Sequence, residues 1–159
     1  MSLVGIGYDS HRLARGRRLV IGGVEIPYER GLDGHSDSDV LTHAIIDALL
    51  GAAGKGDIGQ HFPDTDERWR DADSIALLEG VLEMIAADGL QLLNVDCTVI
   101  MEAPKLSPHR EAIRGRLAEV LGLEAQRVNV KASTGEGMGF IGRGEGVAAL
   151  AVASLQEQG

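Results

Sequence analysis

The sequence predicts a single α/β domain of the α+β kind, in which about three helices cover a mixed sheet. Apolar side chains recur at helical spacing in three segments and alternate with polar ones in several shorter segments. Glycines and prolines separate these segments, and no repeat or low-complexity linker interrupts them. We therefore expect one domain that spans residues 1–159.

The elements are assigned in chain order from hydrophobic period and turn chemistry. They are a strand at 4–8, a hairpin at 19–26 turned at Gly22-Gly23, a helix from 36–39 to about 54, a loop at 56–66, a helix at 73–88 ended by Gly89, a strand at 94–101, a helix capped by Ser107-Pro108 and ended by Gly122, and a strand at 128–132. Residues 147–155 stay ambiguous, because their alanines suit a helix while their apolar residues also alternate.

Composition excludes several classes of protein. The chain has 159 residues, 44% of them hydrophobic and 25% charged, which is close to the globular average and argues against disorder. A net charge of -9 provides no electrostatic footprint for nucleic acid or an anionic membrane. No apolar run approaches the roughly 20 residues of a membrane span, and no secretory leader is recognisable.

The number of cysteines bears on the cellular compartment of the protein. Cys97 is the only cysteine, so an internal disulfide and a multi-cysteine zinc site are both excluded. It lies in the middle of a predicted strand, and we interpret it as a core residue rather than a nucleophile. A cytoplasmic protein fits these observations.

The most specific chemical pattern is a set of two histidines and one aspartate. Asp9 and His11 are two residues apart at a strand end, so their side chains leave the strand on the same face. His43 lies on the first helix, four residues from Asp39 and from Asp47. Two imidazoles and a carboxylate form the usual ligand set of a catalytic zinc ion with an open fourth position. The alternative is that Asp39 caps the helix and His43 is a buried histidine with a hydrogen-bond partner.

Two further segments could bind a ligand, although ordinary structural roles also explain them. His35 and Ser36 precede the first helix, where they could meet an anion or simply cap the helix. The loop from Gly56 to Asp64 carries carboxylates around Phe62, which suits a polyol as well as a solvated turn.

A glycine-rich tract follows the strand that contains Lys131. Ser133 and Thr134 lead into bare backbone that could cradle phosphate oxygens, and Glu136 could hold a magnesium ion. Lys131 and Lys105 both lie near strand ends, where ligands of open sheets collect, although salt bridges are the commoner use of lysine.

Taken together, these blocks resemble one family over nearly the whole chain, the 2-C-methyl-D-erythritol 2,4-cyclodiphosphate synthases of the non-mevalonate isoprenoid pathway. The matching blocks are Gly7-Tyr8-Asp9-Ser10-His11, Ile21-Gly22-Gly23-Val24, His35-Ser36-Asp37-Ser38-Asp39-Val40, Asp47-Ala48-Leu49-Leu50-Gly51, Gly56-Asp57-Ile58-Gly59, Phe62-Pro63-Asp64-Thr65-Asp66, Ala103-Pro104-Lys105, Asn129-Val130-Lys131-Ala132 and the run from Gly139 to Gly146.

The resemblance implies a phosphorus–oxygen lyase that converts 4-diphosphocytidyl-2-C-methyl-D-erythritol 2-phosphate to the 2,4-cyclodiphosphate and CMP. It implies zinc on Asp9, His11 and His43, magnesium or manganese on Glu136, and help on the phosphates from Lys131 and Thr134. The implied contacts to the erythritol are His35, Ser36, Asp57, Ile58, Gly59, Phe62 and Asp64. The implied cytidine pocket comprises Met101, Ala103, Pro104, Lys105, Leu106, Ser107, Ala132, Ser133 and Thr134.

The resemblance also implies a homotrimer whose sheets face a central channel and whose active sites lie between subunits. Phe140 and Arg143 are also implied as substrate-binding residues, and Arg143 would line that channel, where a prenyl diphosphate could bind. Two alternatives remain from the residues alone. A zinc-dependent phosphohydrolase would use the same three ligands and release a linear product, and a trimeric nucleotide-binding module would need neither metal.

Overall fold

The computed structural model describes every residue from Met1 to Gly159. The strands are β1 (Ser2–Arg15), β2 (Leu19–Ile21), β3 (Val24–Ile26), β4 (Arg30–Leu32), β5 (Leu90–Ile100), β6 (Val128–Ser133) and β7 (Gly146–Glu157). The helices are α1 (Val40–Ala52), α2 (Ile58–His61), α3 (Ser74–Ala87), α4 (Arg110–Leu121) and α5 (Gly139–Gly142), and short 3₁₀ helices occupy Glu67–Trp69, Ser107–His109 and Ala125–Arg127.

Five strands form one mixed sheet in the order β4-β1-β7-β5-β6, and β2 pairs with β3 in a separate hairpin. β7 is antiparallel to both β1 and β5, whereas β5 and β6 are parallel. The expected α+β domain with a mixed sheet and three main helices is confirmed. None of the helices combines the length and the apolar character that crossing a membrane requires.

α1, α3 and α4 cover one face of the sheet, and their apolar sides merge with it in a single core of 34 buried residues. Cys97 belongs to this core, and burial raises the pKa of its thiol to about 12, which agrees with a packing role. The face of β1 and β7 that points away from the helices instead exposes large apolar side chains: Val4, Ile6, Tyr8, Leu150 and Val152.

The observed elements extend or change several predictions. The first strand is longer than the expected 4–8, because β1 pairs with β7 along most of its length and then with β4. The ambiguous segment at 147–155 is a strand, and its pairing with β1 and β5 on both sides decides it. The expected loop at 56–66 contains α2, which starts at a capping box formed by Asp57 and Gln60.

Helix ends largely follow the predicted chemistry. Gly89 and Gly122 adopt positive φ angles of 74° and 68° directly after α3 and α4, as expected of helix terminators. Ser107 differs from its prediction, because it opens a 3₁₀ turn with no side-chain cap and α4 begins only at Arg110.

α1 lies unusually close to β1, because β1 presents glycines to it. A Cβ atom on Gly7 would lie 1.8 Å from the carbonyl oxygen of Ala44, and one on Gly5 would lie 2.0 Å from that of Ala48. Helix backbone therefore touches strand backbone at these two positions. This contact brings the side chains of α1 within reach of those at the end of β1.

We expect Gly7→Ala to destabilise the fold by about 3 kcal/mol, because the added methyl group overlaps helix backbone that cannot move aside freely. Gly115→Ala in the exposed part of α4 is the matched control, since a Cβ atom at that position would meet nothing within 4 Å. The control should stabilise the protein by about 0.5–1 kcal/mol. Urea denaturation measures both, and equal effects of the two substitutions would contradict the close contact.

Candidate metal centre and ligand clefts

Three side chains from two elements converge at the end of β1. Oδ2 of Asp9 lies 2.8 Å from Nε2 of His11 and 3.2 Å from Nδ1 of His43, and the two nitrogens are 3.4 Å apart. Asp9 and His11 share the helix-covered face of β1, and α1 brings His43 against them. The predicted convergence of these three residues is confirmed.

The far side of each imidazole ring is held by the protein. Nδ1 of His11 donates to the carbonyl oxygen of Asp33 at 3.0 Å, and Nε2 of His43 lies 2.8 Å from Oγ of Ser74. The remaining nitrogen of each ring therefore faces the Asp9 carboxylate. One oxygen and two nitrogens within 4.8 Å of one another fit a metal ion that keeps a position open for substrate.

The electrostatics of the cluster couple Asp9 to His11. Burial alone would raise the pKa of Asp9, but the hydrogen bonds from His11 and His43 and the charges on these rings outweigh it and lower the pKa to about 2. Burial would lower the pKa of His11, but the hydrogen bond and the charge of Asp9 outweigh it and raise that pKa above its usual 6.5. The two shifts therefore favour a carboxylate beside a protonated imidazole, and a metal ion that binds Nε2 of His11 competes with a proton there.

A cavity of about 460 Å³ opens beside His11 and His43. Six of the seven predicted erythritol contacts line it, namely His35, Ser36, Ile58, Gly59, Phe62 and Asp64. The seventh, Asp57, instead caps α2 by accepting from the backbone N–H of Gln60 at 3.0 Å. Pro63, from the matching block at 62–66, also lines the cavity. Gly34, Trp69 and Leu77 complete the wall and carried no sequence signal.

The i, i+4 spacing from His43 predicts that Asp47 supports the metal site without ligating, but its hydrogen bond goes elsewhere. Its carboxylate accepts a 2.7 Å hydrogen bond from the backbone N–H of Ile58 and makes no hydrogen bond to His43. Asp47 therefore fixes the loop that forms the cavity wall, one helical turn beyond the metal ligand. Asp39 caps α1, as the alternative interpretation had it.

A second cleft of about 160 Å³ lies at the ends of the parallel strands β5 and β6. Seven of the nine residues predicted for the cytidine line it, namely Met101, Lys105, Leu106, Ser107, Ala132, Ser133 and Thr134. The other two, Ala103 and Pro104, are joined by a cis peptide bond and lie in the chain between Met101 and Lys105. Glu102 lies in the same segment and also lines the cleft, and its carboxylate accepts from the backbone N–H of Gly135 and so anchors the glycine tract.

The other predicted residues lie outside both clefts. Nζ of Lys131 pairs with Asp96 at 2.9 Å on the face of the sheet away from the helices. Glu136 is exposed, with a positive φ of 53°, and its N–H donates to Oγ1 of Thr134 at 3.2 Å. Phe140 lines a small cavity shared with His11, and Arg143 pairs with Glu145 at 3.1 Å.

Within one chain, the two clefts are separate and share no residue. In the sheet, Asp9 of β1 pairs with Ala149 of β7, Ala149 pairs with Val99 of β5, and Val99 pairs with Ala132 of β6. Three strand spacings of about 4.8 Å therefore put roughly 14 Å between the metal ligands and the second cleft.

The fold and the three converging side chains define the chain as an α+β protein with a candidate metal site beside a cavity. Comparison with known proteins is more specific, since the YgbB family model matches residues 2–156. The chain is 59% identical over 155 residues to 2-C-methyl-D-erythritol 2,4-cyclodiphosphate synthase of Halalkalibacterium halodurans, covering 98% of this chain and 99% of that one.

Comparison with solved structures supports the same family. A 2-C-methyl-D-erythritol 2,4-cyclodiphosphate synthase with bound CDP superposes with a TM-score of 0.89 at 40% identity, covering 96% of this chain and 99% of that one. A bifunctional protein of Campylobacter jejuni gives a TM-score of 0.95 at 42% identity, covering 99% of this chain and 42% of that longer one. The chain belongs to the YgbB family, the family of the 2-C-methyl-D-erythritol 2,4-cyclodiphosphate synthases.

The opposite pKa shifts of Asp9 and His11 predict a window of stability for the metal-free protein. The lowered pKa of Asp9 contributes stability that is lost as pH falls below about 4, and the raised pKa of His11 contributes stability that is lost as pH rises above about 6.5. The excess stability of the wild type over Asp9→Asn should therefore be largest between these values. Urea unfolding of chelator-treated protein from pH 3 to 9 measures it, and a difference that does not change with pH would contradict the pairing.

Proposed function

We propose that the metal centre and the two clefts together form the active site for the reaction of this family. The chain is an enzyme that converts 4-diphosphocytidyl-2-C-methyl-D-erythritol 2-phosphate to 2-C-methyl-D-erythritol 2,4-cyclodiphosphate and CMP, in non-mevalonate isoprenoid biosynthesis. The observation that carries the assignment of the site is the convergence of Asp9, His11 and His43 beside a cavity lined by the residues expected to bind the erythritol.

The chemistry requires positioning more than it requires a base. An oxygen of the 2-phosphate attacks the β-phosphorus of the diphosphate, the bond from that phosphorus to the oxygen bridging to the α-phosphate breaks, and CMP leaves with that oxygen. The attacking monoester is already largely anionic at neutral pH, since its second pKa is about 6. Both reacting groups belong to one molecule, so holding them in line supplies much of the rate.

Two metal sites are part of the proposal. Asp9, His11 and His43 would hold zinc, and Glu136 would hold magnesium or manganese through its exposed carboxylate. When bound, the two ions would reduce the repulsion between the phosphates and stabilise the charge on the departing CMP. Thr134 would donate its hydroxyl to a phosphate oxygen. Lys131, whose ammonium group pairs with Asp96, would contribute its positive charge near the phosphates.

Each cleft would hold one end of the substrate. His35, Ser36, Asp57 and Asp64 would orient the erythritol hydroxyls, the backbone at Ile58 and Gly59 would approach them closely, and Phe62 would pack on carbon. The second cleft would take the cytidine. Support comes from the relative that binds CDP and from the polar and backbone groups along Met101–Ser107 and Ala132–Thr134.

The separation of the clefts supports an assembly in which neighbouring chains complete each site. We assign the exposed apolar face of β1 and β7 to the interface of a homotrimer with a central channel. Ile6 pairs with Val152 and Tyr8 with Leu150, so these side chains form a continuous apolar strip across two strands. Such a strip is costly to leave in water, and the corresponding faces of two further copies, arranged around a threefold axis, would cover it.

The remaining parts of the proposal concern the chain as a whole. The single core supports one domain over residues 1–159. The free buried thiol of Cys97 agrees with the reducing cytoplasm. Phe140 and Arg143 would face the channel, where an apolar side chain and a guanidinium suit a prenyl diphosphate.

Ile6→Asp should dissociate the assembly, because it places a charge in the middle of the apolar strip. We expect a monomer by light scattering and at least a tenfold loss of kcat, while zinc binding is retained, since all three ligands belong to one chain. Ala86→Asp, on the exposed side of α3, is the matched control and should leave mass and activity unchanged. A fully active Ile6→Asp monomer would contradict sites shared between chains.

Phosphorus NMR of the purified protein with substrate, zinc and magnesium tests the reaction itself. A cyclic diphosphate that appears with equimolar CMP is the expected result, and His43→Ala should lower the rate by at least a hundredfold, since it removes a metal ligand. A linear diphosphate with CMP would instead indicate a zinc-dependent phosphohydrolase. No turnover by metal-loaded protein, together with tight nucleotide binding, would indicate a binding module.

A further inference from the structure

A chain of hydrogen-bonded polar groups lies behind His43, on the side away from Asp9 and His11. Nε2 of His43 is 2.8 Å from Oγ of Ser74, and that hydroxyl donates to Oδ1 of Asp37. The backbone N–H of Ser74 donates to the other oxygen of Asp37 at 3.0 Å. Ser74 is fully buried, so no water can take its place without a rearrangement.

The direction of these hydrogen bonds follows from the geometry of His43. Nδ1 faces Asp9 and His11, so this nitrogen offers its lone pair to a metal ion. A neutral imidazole that ligates through Nδ1 carries its proton on Nε2, and this N–H donates to Ser74. The Ser74 hydroxyl accepts this hydrogen bond and donates its own to the Asp37 carboxylate, so that every donor in the chain has an acceptor.

Ser36 is the other hydroxyl near Nε2, and it is the weaker partner. Its Oγ lies 3.3 Å from Nε2 and already accepts from the backbone N–H of Ser38 at 3.1 Å. Ser36 also lines the ligand cavity, where its hydroxyl is available to a substrate. Ser74 has no such second role.

Asp37 is held in place by the backbone around it. Its Oδ1 accepts from the backbone N–H of Asp39 at 3.1 Å, and its own N–H donates to the carbonyl oxygen of Ala72. Its outer side lines a separate cavity of about 550 Å³, whose wall includes Arg17, Arg18 and Arg116 as well as Asp71 and Asp73. Water therefore reaches Asp37, which is partly exposed, although it does not reach Ser74.

We propose that Ser74 and Asp37 are positioning residues for the metal centre, which act through His43 and touch neither metal nor substrate. The Asp37–Ser74 relay holds the His43 ring in one orientation and one tautomer, with Nδ1 free for the metal. Carboxylates behind a metal-binding histidine commonly act in this way, and their loss costs about 10- to 100-fold in metal affinity or activity. The inference rests on the proposed metal centre, but its first test requires no turnover.

The test is a zinc titration against a chromophoric chelator. Ser74→Ala should weaken zinc binding about 10- to 100-fold, and Asp37→Asn should weaken it in the same direction by less, because an amide oxygen can still accept from the hydroxyl. Ser74→Thr keeps a hydroxyl and should restore part of the affinity. At saturating zinc, kcat of Ser74→Ala should recover while KM stays unchanged.

Asp73→Ala is the matched control, since Asp73 caps the same end of α3 through the N–H of Ile75 but does not contact His43. It should leave zinc affinity within about twofold of the wild type, as expected when the affected cap makes no contact with a ligand. Equal losses in Asp73→Ala and Ser74→Ala would overturn the proposal, because they would attribute the effect to the start of α3. Unchanged zinc affinity in folded Ser74→Ala would overturn it as well.

A measurement on the wild type keeps the proposal falsifiable if a variant fails to fold. Imidazole nitrogen NMR of the zinc-loaded protein should show His43 protonated at Nε2 and unprotonated at Nδ1, and the opposite tautomer would overturn the relay. The two proposals fail separately. Weakened zinc binding in Ser74→Ala by a protein that makes no cyclic product would support the relay and reject the reaction.

Discussion

The contact of α1 with β1, backbone against backbone, is the constraint on which the metal centre depends. Gly5 and Gly7 remove the side chains that would separate the two elements, and the facing positions on α1 are Ala44 and Ala48. His43 precedes Ala44 directly, so the depth of this contact sets how near its ring comes to Asp9. Zinc–ligand bonds of about 2.0–2.2 Å tolerate little displacement, and one added methyl group would exceed that tolerance.

Asp39 fixes the same helix along its axis. Its buried carboxylate accepts from the N–H groups of Gly22 and Gly23 at 2.8 and 2.7 Å, and from the N–H and hydroxyl of Thr42 at 3.1 and 2.7 Å. Burial raises the pKa of Asp39, and these donors oppose that shift by stabilising the charged form. The β2–β3 hairpin is thereby attached to the first turn of α1.

A contact could be predicted from the sequence when its residues lie close together along the chain, and could not when they lie far apart. The spacing of Asp9 and His11 on a strand follows from local geometry, and so do the α1 stripe and the Gly22-Gly23 turn. The structural role of Ser74 depends on α3 beginning beside Asp37, 37 residues earlier in the chain, and no local pattern reports that contact. Asp47 shows the limit of arguments from spacing. Its position four residues after His43 places both on one face of α1, but it does not show that the backbone at Ile58 folds back to bind the Asp47 carboxylate.

The sheet explains why one chain carries a divided site. β1 and β6 are separated by β7 and β5, so the metal ligands on β1 and the cleft at the end of β6 cannot approach each other without breaking the sheet. A substrate whose two ends need both clefts therefore favours an arrangement in which the cleft of a second chain lies against the metal centre of the first. In the proposed assembly such a site would be closed, and its buried surroundings would keep water from the phosphorus under attack and favour cyclisation over hydrolysis.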